Sequence, residues 1–268
     1  MNSFNFKKKF GQNFLIDQNI TNNIVLKSDI LPNSLIIEIG CGDGCLTEKL
    51  CKTGNVVLGY EIDDEVIPLL NNNMSCYNNF NLINDDFMKR DIVSDIGQFS
   101  YDNLYVIANL PYYITTPIIE KIINSKIDLE KMVIMVQKEV GDRISAKVGT
   151  RDYSSLSVYL NYYFDIKKLF YVSRNSFMPK PNVDSVVVAL ISKKNKVFVK
   201  NENLFFDLVR DSFRFKRKNL RNNLKSYDLD VINSVLLKYG FDLNVRAEQL
   251  SLEVFCDIAN SLSGSDGV

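Results

Sequence analysis

Histidine is absent from this 268-residue chain. That removes the imidazole on which most general-base and triad chemistry depends. Any reaction here must proceed without it. The five cysteines, at 41, 45, 51, 76 and 256, include no CxxC pair. A zinc site or disulfide framework is therefore not expected, and a reducing cytosol suits such cysteine usage. No apolar run approaches the roughly 20 residues needed to cross a bilayer. The opening MNSFNFKKKF has no apolar segment followed by small residues, so it does not read as a secretory signal. The expectation is a cytoplasmic protein with no membrane association and no metal. Net charge is lacking too: 32 lysines and arginines balance 32 aspartates and glutamates. Taken alone, that balance argues against a nucleic-acid binder.

Hydrophobic residues, at 46%, supply a substantial core. The length allows one large domain or a large and a small one. Charge is also segregated. From Ser212 to Tyr227 the chain reads SFRFKRKNLRNNLKSY, with six cations and no acid, and Lys7, Lys8 and Lys9 form a smaller cluster.

Short apolar runs alternate with helical stretches. LIIEIG (35–40), VVLGYE (56–61), FNLIND (80–85), LYVIANL (104–110) and KMVIMVQ (131–137) read as strands. LTEKLCK, DDEVIPLLNNN and TPIIEKIINS read as helices between them, Pro68 being tolerable near a first turn. That alternation, with nearly continuous apolar strands, predicts an α/β fold built on a parallel, doubly wound sheet. VYLNYYFDIKKLFYV (158–172) and DSVVVALIS (184–192) read as consecutive strands of an antiparallel edge, with RNSFMPKPNVD as the loop between. Beyond about residue 198, LFFDLVRDSFRF, RKNLRNNLKSY, DVINSVLLKYG and SLEVFCDIANSL carry apolar residues at helical spacing. Ser251 is a candidate N-cap and Gly240 a helix stop. The division expected is 1–195 for the sheet domain with its N-terminal arm and 196–268 for a small all-helical domain.

Three strand ends carry chemistry. The first gives Glu38-Ile-Gly40-Cys-Gly42-Asp-Gly44, whose glycines let the backbone turn tightly and approach a ligand. The spacing is GxGxG rather than the GxGxxG of dinucleotide binders, which favours a nucleoside without a diphosphate; S-adenosylmethionine is such a ligand. A plain βα turn is the simpler alternative. Glu61 ends the second strand, placed to accept hydrogen bonds from ribose hydroxyls. Asp85 and Asp86 end the third, suited either to an adenine amino group or to capping a helix.

The fourth strand ends in Asn109-Leu110-Pro111-Tyr112. Proline has no amide hydrogen and holds the preceding residue extended. The carbonyl of Leu110 or Pro111 is thereby presented beside the Asn109 amide oxygen. Two acceptors in one pocket suit an NH2 group, and Tyr112 offers a face for a flipped-out base. Holding both hydrogens of the adenine amine favours the tetrahedral nitrogen of a methyl-transfer transition state.

Taken in order, KKKFGQNFL (7–15), IIEIGCGDG (36–44), YEID (60–63), NDDF (84–87), ANLPY (108–112), VQKEVGDRI (136–144), SFMPKPNVDS (176–185) and RAEQLS (246–251) carry a family resemblance. From near residue 7 to near 262 the chain resembles the small-subunit ribosomal RNA adenine N6,N6-dimethyltransferases. The resemblance implies a Rossmann-like class I methyltransferase sheet with a helical RNA- or ribosome-binding C-terminal domain. It implies S-adenosylmethionine as methyl donor, S-adenosylhomocysteine as product and no metal. Asn13, Leu15, Gly40, Glu61, Asp86 and Asn109 would contact the cofactor, and Asn109, Tyr112 and Phe177 would hold the target adenine. The implied reaction dimethylates N6 of two adjacent adenosines near the 3′ end of small-subunit ribosomal RNA. The partner would be the immature small subunit, and the protein a monomer with a role in subunit biogenesis. A large-subunit adenine methyltransferase of the resistance type and a non-catalytic assembly factor are the alternatives. Ser155 stands where the family often has arginine. In the basic segment, read as a helix, Phe213, Phe215, Leu220 and Leu224 are expected to face the domain core. That leaves Arg214, Lys216, Arg217, Lys218 and Arg221 outward for RNA phosphate.

Overall fold

The computed structural model describes residues 14–264. These divide into two compact units. One runs to Gly141 and resumes over Lys167–Ser192; the other comprises Asp142–Ile166 and the chain from Lys193 on. Residues 142–166, placed by the sequence reading with the sheet, belong to the second unit.

The first unit opens with β1 (Phe14–Leu15) and α1 (Gln18–Ser28), then alternates β2 (Ser34–Ile39), α2 (Cys45–Cys51), β3 (Val56–Glu61), α3 (Ile67–Met74) and β4 (Phe80–Asn84). After α4 (Ile92–Ile96) come β5 (Asn103–Asn109), α5 (Thr115–Asn124) and β6 (Lys131–Gln137), the last leading into α6 (Lys138–Ile144). Strands β4, β3, β2, β5 and β6 lie side by side in that order, all parallel. All six residues of β2 are buried, as a strand covered on both faces requires. From β2 the chain winds outward to β3 and β4, then returns to place β5 on the other flank of β2. The order therefore reverses between β2 and β5, and ligands of such sheets bind outside the carboxyl ends of the strands at that reversal.

The antiparallel margin departs in part from the sequence reading. β9 (Ser185–Ser192) pairs antiparallel with β6, Gln137 opposite Ser185, and β7 (Phe164–Val172) forms the edge beyond it. Residues 155–163, however, are helical (α7, Ser155–Tyr163), so 158–172 is not one strand. Val158, Leu160 and Tyr162 are buried alternately, and that alternation imitates a strand. The backbone is decided upstream: Ser154 N–H donates to Ser157 Oγ at 3.1 Å in a reciprocal capping box that starts the helix. A two-residue ladder joins β1 to β8 (Phe177–Met178), with Phe14 opposite Met178 and Leu15 opposite Phe177.

In the second unit, α7, α8 (Glu202–Ser212), α9 (Leu220–Asn223), α10 (Leu229–Lys238) and α11 (Leu252–Leu262) enclose a core that includes Phe205, Leu208, Leu220, Ile232, Leu236, Phe255 and Ile258. Ser251 occupies the N-cap position of α11, and Gly240, at φ +76°, ends α10 in the left-handed region. The basic segment is mostly not helical. Asn219 caps α9 by accepting from the Asn222 amide, which separates α9 from α8 by a turn over 213–219. Phe215 is 57% exposed in that turn rather than facing the core, whereas Leu220 and Leu224 are buried.

Candidate active site

A cleft of about 1100 Å3, its open mouth included, lies at the carboxyl ends of β2 and β5. One wall is the glycine turn. Gly40, Gly42 and Gly44 have φ of +78°, +55° and +88°, a region side chains rarely enter. At Gly40 the dihedral alone demands glycine, since an added Cβ would sit at ordinary contact distance from Pro111 and the Asn109 carbonyl. At Gly42 space is short as well: a Cβ would lie 3.0 Å from the Phe14 ring.

The opposite wall is the corner after β5. The Leu110 amide continues the sheet by donating to the Met135 carbonyl at 3.2 Å. Of the two carbonyls left open by the sequence, that of Pro111 is occupied: it accepts from the Ile114 amide and from Thr115 Oγ1, each at 3.2 Å. The Leu110 carbonyl has no such partner among the described residues and is the acceptor left beside Asn109. Asn109, Leu110, Pro111 and Tyr112 all line the cleft. Tyr112 is held at its far end, its hydroxyl 2.7 Å from Ser185 Oγ on β9. Burial raises its pKa above the ordinary tyrosine value, opposed by that hydrogen bond.

Glu61, at the end of β3, is already engaged with backbone. Its Oε2 accepts from the Gly42 amide at 2.8 Å, and its Oε1 from the amides of Ile62 and Asp63, each at 2.9 Å. A carboxylate offers about four lone-pair positions, so Glu61 fastens the glycine turn and retains limited further capacity. Burial raises its pKa against the pull of those amides. Asp86 lines the cleft, and its Oδ1 caps the turn Phe87–Lys89 through the Met88 amide at 2.9 Å. Asp85 also lines the cleft and pairs with Arg90 at 3.6 Å.

Among the other expected residues, Leu15 lines the cleft and Gly40 forms its floor turn. Asn13 lies outside the described residues. Phe177 does not line the cleft: it is 2% exposed, packed in the sheet core and paired with Leu15 across the β1–β8 ladder. That pairing, which needs two distant segments, is invisible in local sequence. Arg214, Lys216, Arg217, Lys218 and Arg221 are all exposed in the second unit.

Sequence reasoning missed Phe14, Tyr113 and Glu38, all cleft-lining. Glu38 did leave a signal, being the one acid inside the apolar LIIEIG. It is 1% exposed, and its Oε2 has no hydrogen-bond partner among the described residues. Burial pushes its pKa up to about 8, opposed by the Thr47 hydroxyl beside it and reinforced by the Glu61 carboxylate. Besides Glu38, which burial favours in its neutral form, Asp43, Glu61, Asp85 and Asp86 line the cleft, and no lysine or arginine does so among the described residues. Such a wall repels a pyrophosphate and attracts a cation. The donor set thus suits a nucleoside bearing a sulfonium and an ammonium better than NAD.

The family profile described as "Ribosomal RNA adenine dimethylase" matches residues 3–263. The chain belongs to that family. It is 42% identical over 268 residues to "Ribosomal RNA small subunit methyltransferase A" of Bacillus mycoides, covering 97% of this chain and 92% of that protein. The protein of the same name from Bacillus cytotoxicus is also 42% identical, over 269 residues with the same coverage. Among solved structures, a dimethyladenosine transferase from Plasmodium falciparum superimposes with a TM-score of 0.77 at 28% identity, covering 91% of this chain and 95% of that one. The 23S rRNA methyltransferase ErmE gives 0.75 at 21% identity, covering 94% and 100%, a likeness that speaks for the fold alone.

Proposed function

We propose that this chain uses S-adenosylmethionine to dimethylate N6 of two adjacent adenosines near the 3′ end of small-subunit ribosomal RNA. The observation that carries the chemistry is the corner after β5, where Asn109 and the Leu110 carbonyl, unpartnered among the described residues, border an acidic cleft. Membership of the adenine dimethylase family and the small-subunit names of its 42% identical relatives support the substrate. S-adenosylmethionine, when bound, supplies a methyl group made electrophilic by its sulfonium.

The residues of the chain then do four things. Glu61 and Asp86, with Leu15 and Gly40, hold the nucleoside end of the donor, and the acidic lining favours its positive charge. The Asn109 amide oxygen and the Leu110 carbonyl accept the two hydrogens of the adenine amine, which localises the nitrogen lone pair. Tyr112 offers its ring to the extruded base, and Ser185 fixes that ring. No histidine is needed, because the amine proton becomes acidic once the nitrogen is alkylated and can leave to an oxygen acceptor or to water. In the second unit, Arg214, Lys216, Arg217, Lys218 and Arg221 contact RNA phosphates.

The test is to incubate the protein with radiolabelled S-adenosylmethionine and small subunits lacking the modification, with large subunits in parallel. Label in dimethyladenosine of the small-subunit RNA is expected. Label confined to the large subunit would favour the resistance-type activity, and none in either would leave a non-catalytic assembly role.

A further inference from the structure

We infer that Phe215 is a stacking platform for an unpaired base of the RNA, a role distinct from phosphate neutralisation. The inference rests on the reading of the second unit as RNA-binding. Phenylalanine is ordinarily buried, yet Phe215 is 57% exposed while Phe205 and Phe255 of the same unit are fully buried. Its turn is held in shape: the Lys218 amide donates to the Phe215 carbonyl at 2.8 Å, and the Asn223 side-chain amide reaches the Ser212 carbonyl at 2.6 Å and the Phe215 carbonyl at 3.4 Å. Arg214, Lys216, Arg217 and Lys218 flank it in the chain, all exposed, with no acid from Ser212 to Tyr227. The Arg214 guanidinium lies 5.7 Å from the Phe215 ring centroid. An aromatic ring beside a guanidinium plane, in a run of exposed cations, is the combination on which single-stranded nucleic acid stacks while its backbone is neutralised. A duplex, whose bases are already stacked, gains nothing from such a ring.

The chain contains no tryptophan, so Phe215→Trp places a sole indole reporter at this position. Titrating the full-length variant with a single-stranded oligoadenylate RNA should quench its fluorescence, whereas an RNA duplex of equal length should bind without quenching. Phe215→Ala should weaken single-strand binding about tenfold, with the salt dependence unchanged. Arg217→Gln should instead lower the salt slope by about one. Single-strand binding without quenching, and unaffected by Phe215→Ala, would overturn the stacking role and leave the phosphate contacts standing. No binding of either RNA by the unaltered protein would overturn both readings.

Discussion

Replacing Glu38 with glutamine removes a carboxyl that the sheet buries without a full set of partners among the described residues. Its pKa is pushed from 4.5 up to about 8 by burial, so the folded protein holds a proton there that the unfolded chain releases. The sign follows: the stability due to this group is fully present below pH 4.5 and is lost as pH rises through 8. A shift of about 3.5 units is worth about 5 kcal/mol in full, of which about 3 is already lost by pH 7 and nearly all by pH 9. Glutamine does not titrate, so the variant should gain on the unaltered protein by that profile. The added amide donors shift the whole curve by a constant without altering its shape. Cys41, Asp43, Glu61 and Thr47 face the same group and are present in both proteins, so the difference isolates Glu38 to first order. The assay is urea denaturation of both proteins from pH 5 to 9. A difference in unfolding free energy that stays flat across that range would show that Glu38 ionises normally, and would refute the account of a neutral carboxyl beside the glycine turn.

Other outcomes follow from the same geometry. Ser185→Ala and Tyr112→Phe each break the 2.7 Å hydroxyl contact and should lower methyl transfer by similar factors. The double variant should be no worse than either alone, which steady-state kinetics on small subunits would show. Gly141→Ala would put a Cβ 2.1 Å from Val186 Cγ1, at a cost of about 1–3 kcal/mol in thermal or chemical unfolding. Adding Val186→Ala should recover part of that loss. Gly42→Ala meets both a φ of +55° and the Phe14 ring, so it should weaken S-adenosylmethionine-induced thermal stabilisation more than it weakens the fold.

The parallel sheet was legible because its strands are short apolar runs closed by glycine, acid or amide, and such runs form strands in almost any buried context. The cleft was legible for a related reason: chemistry at a strand end is local in sequence. What escaped depends on distant partners. Tyr112 declares nothing of Ser185, 73 residues away, nor does Phe177 declare Leu15. The helix at 155–163 was hidden by an alternation of Val158, Leu160 and Tyr162 that only the Ser154 cap resolves. Hydrophobic spacing assigns Phe215 to a core because it assumes a continuous helix, and Asn219 interrupts that helix.

The most direct measurement of the central claim is single-turnover methyl transfer to small-subunit RNA by Asn109→Ala, with the thermal midpoint recorded alongside. Loss of one acceptor for the adenine amine should slow transfer by about a hundredfold or more while the midpoint moves by no more than a few degrees. Transfer within a few-fold of the unaltered protein would contradict the claim that the corner after β5 grips the reacting nitrogen.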